Sequence, residues 1–274
     1  MRLGTALLLV LCTACGGGQA ARSLSYGENA RRAYENAFQA YEDRDCMTAE
    51  PLFRRIQTDY PYSRYAALAE LRLADCALLQ SHFTEAIRAY RSFVRHRPAH
   101  AEVPYAHFKI AEAYFKQIPA DFFLSAPAYE RDQAPTRSAL RQLRRFLLDH
   151  PDNDHAAEAR DMVRRALDLL ARHELYVAEF YLGRDQPRAA ILRLRHLLSV
   201  YEGSGIEPQA LLLLGRVHLH MREVRDAQRT FEELVQRFPE SGWSEQARGF
   251  LRQIVPTQSV PTQAPAAQST QSAG

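Results

Sequence analysis

A helix-stopping proline recurs four times in this 274-residue chain, each time in the same surroundings. Tyr60-Pro61, Arg97-Pro98, His150-Pro151 and Phe238-Pro239 each set it after an aromatic or basic residue. Twelve residues earlier stands an alanine: Ala49, Ala86, Ala139 and Ala227. Four after the alanine comes a large apolar residue (Phe53, Tyr90, Leu143, Phe231), and three further another (Ile56, Phe93, Phe146, Leu234). Steps of four and three keep these positions on one helical face, and proline ends the helix that carries them. One match would say little; four in register confine the chain to tandem helical units. A fifth, counted from Ala190, has Val177-Ala178, Tyr181, Leu194 and Leu197, with Glu202 in place of the proline and a glycine-made turn in YEGSG.

The partner helices agree. Leu73-Ala74 with Ala77, and Leu214-Gly215 with His218, form large–small pairs on one face, and Pro208 opens its helix where a missing N–H costs nothing. The pattern resembles the tetratricopeptide repeat, a helix–turn–helix unit of about 34 residues. The expected class is all-α, a helix–turn–helix solenoid of about five repeats over residues 28–253. The repeats fall at 30–62, 67–99, 104–152, 171–203 and 208–240, followed by a capping helix from Glu245 to Ile254. Residues 154–182 contain neither Gly nor Pro and predict one long helix joining repeats three and four. Ala159, Val163, Ala166, Leu170, Val177 and Tyr181 form its apolar face; Arg160, Arg164, Arg165, Asp168, Arg172 and Glu174 are assigned to the polar one. Ser63, Asn153 and Ser241 are expected to cap helices.

The third repeat is interrupted at 117–135, between a first helix from Tyr105 to Lys116 and a second from about Thr136. This insertion holds three prolines and the pair Phe122-Phe123. Long loops in compact repeats are usually functional, so Phe122 and Phe123 are candidate contact residues; the alternative packs them onto the repeats. Residues 254–274 are rich in Pro, Gln, Ser and Thr and predict a disordered tail. At the other end, Met1-Arg2 and the apolar run Leu3–Leu11 have the form of a signal peptide (1–14), too short to span a bilayer. Cys12-Thr13-Ala14-Cys15 resembles the bacterial lipobox, with Cys12 where leucine is usual. Cys15 is therefore the candidate for a diacylglycerol and an N-acyl chain, ahead of a flexible tether at 15–27. Gly16 rather than Asp after it points to the outer membrane. Cys46 and Cys76 remain in the mature chain. An oxidising periplasm permits a disulfide between them, but the preferred reading is that each fills a small buried site.

Little else suggests chemistry. A net charge of +3 is too small for a nucleic-acid binder. His218 and His220 point to different helix faces and cannot share a metal, and His96, His100 and His107 are taken as solvated turn residues. No H-E-x-x-H, G-x-S-x-G or P-loop is present, and no metal or other cofactor is expected. Recognition, not catalysis, is the expected mode.

Three stretches carry a more specific resemblance: DYPYSRYA at 59–66, FF at 122–123 followed by RDQAPTRSAL at 131–140, and LARHELYVAEFYLGRDQPRAAILRL at 170–194. Over residues 28–253 the chain resembles the BamD family, lipoproteins of the outer-membrane β-barrel assembly machinery. The resemblance implies a non-enzymatic scaffold on the periplasmic face of the outer membrane. N-terminal repeats would receive the C-terminal signals of unfolded outer-membrane proteins, and C-terminal repeats would dock the POTRA domains of a BamA-like barrel subunit. Accessory lipoproteins of the same complex are further expected partners. It also implies contact roles for Tyr60 and Tyr62 at the first-repeat edge and for Arg193 in POTRA docking. A repeat lipoprotein of CpoB type, coordinating cell-wall synthesis, is the alternative; it would lack the insertion and the V-A-E-F-Y helix.

Overall fold

The computed structural model describes residues 25–120 and 126–254. The described residues form helices and one short 3-10 turn, with no strand among them. The elements are α1 (Tyr26–Glu42), α2 (Cys46–Asp59), α3 (Arg64–Leu79), α4 (Phe83–His96), α5 (Val103–Lys116), the 3-10 turn Ala128–Glu130, α6 (Ala134–Asp149), α7 (Ala156–Leu182), α8 (Pro187–Val200), α9 (Glu207–His220), α10 (Val224–Arg237) and α11 (Gly242–Ile254). The chain divides into two compact units, with the division falling inside α3 between Arg72 and Leu73.

In the first unit α1 packs on α2. Ser25 and Glu28 close a reciprocal capping box at the start of α1. Tyr34 lies between Phe53 and Tyr65, with ring centroids 5.8 and 5.5 Å away. In the second unit each helix from α4 to α11 packs on its neighbour in the chain, and α5 also meets α7 as α9 meets α11. The repeat positions become the core: Ala49, Ala86, Ala139, Ala190 and Ala227 are fully buried, and so are Phe53, Tyr90, Leu143, Leu194 and Phe231. A buried carboxylate ties three helices together. Asp75 on α3 accepts hydrogen bonds from the hydroxyls of Tyr90 on α4 and Tyr105 on α5. Burial, followed by the charge of Asp75, holds the Tyr90 hydroxyl well above the usual tyrosine range, so it stays a donor.

Four intra-repeat turns share one construction. Arg44, Ser81, Asp185 and Arg222 each adopt a left-handed φ between 56° and 63°, five residues before the repeat alanine. The next N–H reaches back to the preceding helix, as from Asp45 to Ala40 O or from Glu223 to His218 O, the six-to-one bond of a Schellman motif. The turn without the proline is built differently. Gly203 and Gly205 have φ of 81° and 84°, and the buried Glu207 carboxylate accepts from the N–H groups of Gly203 and Ser204.

Several boundaries differ from the sequence reading. The capping helix begins at Gly242, α5 at Val103, and α6 at Ala134, where the Asp132 carboxylate accepts from the Ala134 N–H. Ser63 and Ser241 do cap their helices. Asn153 instead bonds the His155 N–H in a turn, so α7 begins at Ala156 and not at 154. The long helix itself is present, at 27 residues. The signal segment, tether and tail lie outside the described residues, and no described helix is long and apolar enough to cross a membrane.

Candidate functional site

Of the residues implied to make contacts, Tyr60 and Tyr62 belong to the first unit and Arg193 to the second. Tyr60 ends α2 and is half-buried, its ring 5.4 Å from that of Tyr26. Pro61 turns the chain there, and Tyr62 beyond it is 94% exposed. The Tyr26 hydroxyl accepts from the Tyr62 N–H at 3.4 Å. Tyr60 therefore braces the helix end while Tyr62 projects, and Tyr26, unnoticed in the sequence, completes the aromatic edge.

Arg193 lies on α8 with 44% of its side chain exposed, and its Nη1 donates to Glu174 on α7 at 3.3 Å. Glu174 is buried, which corrects its assignment to the polar face. It follows Leu170 by four and precedes Ala178 by four, so the apolar spacing already placed it inward. An isolated buried carboxylate would be costly; here the Arg193 guanidinium compensates it, and His196 Nε2 lies 3.9 Å from its other oxygen. Tyr201 closes the cluster. Burial and then the Glu174 charge raise its hydroxyl, so it remains neutral. A guanidinium has five N–H donors and Glu174 engages one nitrogen, leaving a directional donor face toward solvent. That face suits a partner carboxylate.

The insertion is tied to the same helix. His173 on α7 bonds the Tyr129 carbonyl at 2.6 Å, and Tyr129 meets the Tyr176 ring edge-on at 6.0 Å. Gln133, buried, donates to the carbonyls of Ala128 and Arg131 and accepts from the Thr136 hydroxyl. Arg131 bridges the carbonyls of Ala120 and Ala126. Phe122 and Phe123 lie between those residues, outside the described ones, as does Cys15.

Cys46 and Cys76 are both buried and both disulfide-bonded, so the preferred picture of two separate buried thiols does not hold. His96 is exposed as expected, whereas His100 and His107 are partly buried. His107 Nδ1 lies 2.8 Å from His150 Nε2, and His100 packs edge-on against Phe93. His218 is buried and bonds Glu223 at 2.6 Å; with Asp226 it forms a group whose ligand-type atoms lie within 4.8 Å of one another. Arg229 already holds that Asp226 carboxylate, so the group forms a charge network across the α9–α10 turn.

The outer membrane lipoprotein family YfiO matches residues 27–223, and a tetratricopeptide repeat matches 209–241. The outer membrane protein assembly factor BamD of Caulobacter vibrioides is 28% identical over 70% of this chain, which spans 60% of that relative's length. The protein of the same name from Xylella fastidiosa (strain 9a5c) is 24% identical over 85% of this chain and 80% of its own. Among solved structures, the TPR2AB domain of yeast Sti1 aligns with a TM-score of 0.44 at 10% identity, over 82% of this chain and 84% of that one. With its helical repeats and a family match covering most of its length, the chain belongs to the YfiO family of outer membrane lipoproteins.

Proposed function

We propose that this protein is a lipid-anchored scaffold of outer-membrane β-barrel assembly, without catalytic activity of its own. The family match over residues 27–223 carries the reading, and the relatives named as assembly factors support it. In this reading Cys15 bears the diacylglycerol and N-acyl chain and holds the repeats at the periplasmic face of the outer membrane. Each buried CH₂ of such an anchor contributes about 0.8 kcal/mol. The repeat-one edge around Tyr62 receives the aromatic C-terminal signals of unfolded outer-membrane proteins, with Phe122 and Phe123 as further contacts. The face around Arg193 docks a POTRA domain of a BamA-like subunit, alongside any accessory lipoproteins. Tyrosine and arginine are residue types that dominate interface energetics.

Site-specific crosslinking in the native envelope tests this. A photoreactive residue at Tyr62 is expected to capture unfolded outer-membrane chains, and one at Arg193 the POTRA-bearing subunit. Capture of neither from either position would overturn the proposal.

A further inference from the structure

Helix α4 carries Arg88, Arg91 and Arg95 three and four residues apart, hence on one face, and all three are exposed. They line two adjoining clefts. One lies among α4, α5 and α6, with Arg145 at its rim and Val94, Ile110 and Phe146 beneath. The other runs along α4 toward the end of α5, over Ile87 and beside Tyr114. Arg91 and Arg95 line both, so the clefts form one trough.

Its charge is unbalanced. Elsewhere among the described residues, exposed arginines commonly meet a carboxylate one turn away, as in Arg172–Asp168 at 2.9 Å, Arg237–Glu233 at 2.7 Å and Arg55–Asp59 at 3.0 Å. Arg88, Arg91 and Arg95 take part in no ion pair among the described residues. Arg91 instead donates to the Tyr114 hydroxyl at 3.1 Å. Asp149 is the carboxylate lining the trough, and Arg145 already pairs with it at 3.4 Å. Glu85, one turn before Arg88, lies 4.0 Å from His82. Three guanidiniums thus stand over an apolar floor with unused forked donors, the geometry that selects carboxylates. From Arg88 to Arg95 the helix rises about 10 Å at about 1.5 Å per residue, which about three residues of extended chain cover.

We propose that this trough receives a short extended peptide segment carrying carboxylates beside apolar side chains. The carboxylates meet the α4 arginines, and the apolar side chains lie on Val94, Ile110 and Phe146. The inference rests on the proposed role only for the origin of such segments in unfolded clients; the recognition chemistry follows from the trough itself.

The test is fluorescence anisotropy with the full chain in detergent and a fluorescein-labelled hexapeptide alternating phenylalanine and aspartate. Binding is expected to weaken at least tenfold in the triple variant Arg88→Gln, Arg91→Gln, Arg95→Gln, and as much when asparagine replaces aspartate in the probe. Added salt should weaken the parent more than the triple variant. These side chains are exposed, and a thermal melt of the triple variant should match the parent. Equal affinity for the aspartate and asparagine peptides, or equal binding by parent and variant, would overturn the proposal. So would arginine-dependent binding to phosphatidylglycerol vesicles with no binding of the peptide, since the trough would then serve a lipid surface. Failure of the peptide with intact crosslinking from Tyr62 and Arg193 would remove this inference and leave the assembly role standing.

Discussion

Gly215 shows how closely two repeat helices approach. A Cβ built there would lie 2.3 Å from a ring carbon of Phe231, which is fully buried and stacked on Phe250 at 5.1 Å. Alanine favours a helix over glycine by about 1 kcal/mol, but overpacking a filled core costs about 1–3 kcal/mol, and the trapped ring has little room to give. Gly215→Ala is therefore expected to lower stability by about 1–2 kcal/mol, read from the urea midpoint. Gly249→Ala, where the new Cβ meets nothing within 4 Å, should raise it by about 1 kcal/mol. The large–small pair Leu214-Gly215 was legible because repetition exposes positions that size alone decides. Glu174 was misread because a charged side chain inside a helix looks solvated until its cross-helix partner is known. Arg193 stands nineteen residues away, beyond the reach of helical periodicity.

At the scale of elements, the helices were foreseeable and their junctions less so. Apolar spacing fixes a helix interior, whereas its ends depend on a few hydrogen bonds, such as those of Asp132 and Asn153. The insertion was visible as a break in period, but its docking on α7 through His173 and Tyr129 involves no repeated residue. Helix α5 has a feature that pH can report. Glu112 is buried between Lys109 at 2.7 Å and Lys116 at 2.8 Å. Burial pushes its carboxyl upward, but the two ammonium groups outweigh it, and the net shift is below the usual 4.5. A depressed folded value contributes stability above the unfolded value and loses it as pH falls through the folded one. Glu112→Gln should therefore be less stable than the parent at pH 7. The gap should narrow as pH drops below about 4.5, as paired urea titrations at neutral and acid pH would show.

Within the second unit, each helix from α4 onward packs on its chain neighbours, so its contacts are largely local in sequence. Such stacks behave nearly as one-dimensional chains of units linked by nearest-neighbour interfaces. Their fold was readable for that reason, since each unit repeats the same instruction. The candidate contact residues were not, because they lie where units differ, and only family resemblance pointed to Tyr62 and Arg193. Helix α7 breaks the one-dimensional picture by serving the third repeat with its first half and the fourth with its second, and by packing on both α6 and α8. Leu169 sits near its middle with a half-buried side chain, so a substitution there acts mainly on the backbone. Leu169→Pro costs about 3 kcal/mol or more and should split one cooperative melting transition into two, seen by calorimetry.

In the intact protein, an unfolding front that enters α7 meets no turn between Ala156 and Leu182 at which to halt. The third and fourth repeats should therefore open as one event, and their amides should exchange with solvent together. The natural breakpoint lies further on, at the glycine turn of Gly203 and Gly205, where the repeats' usual proline is missing.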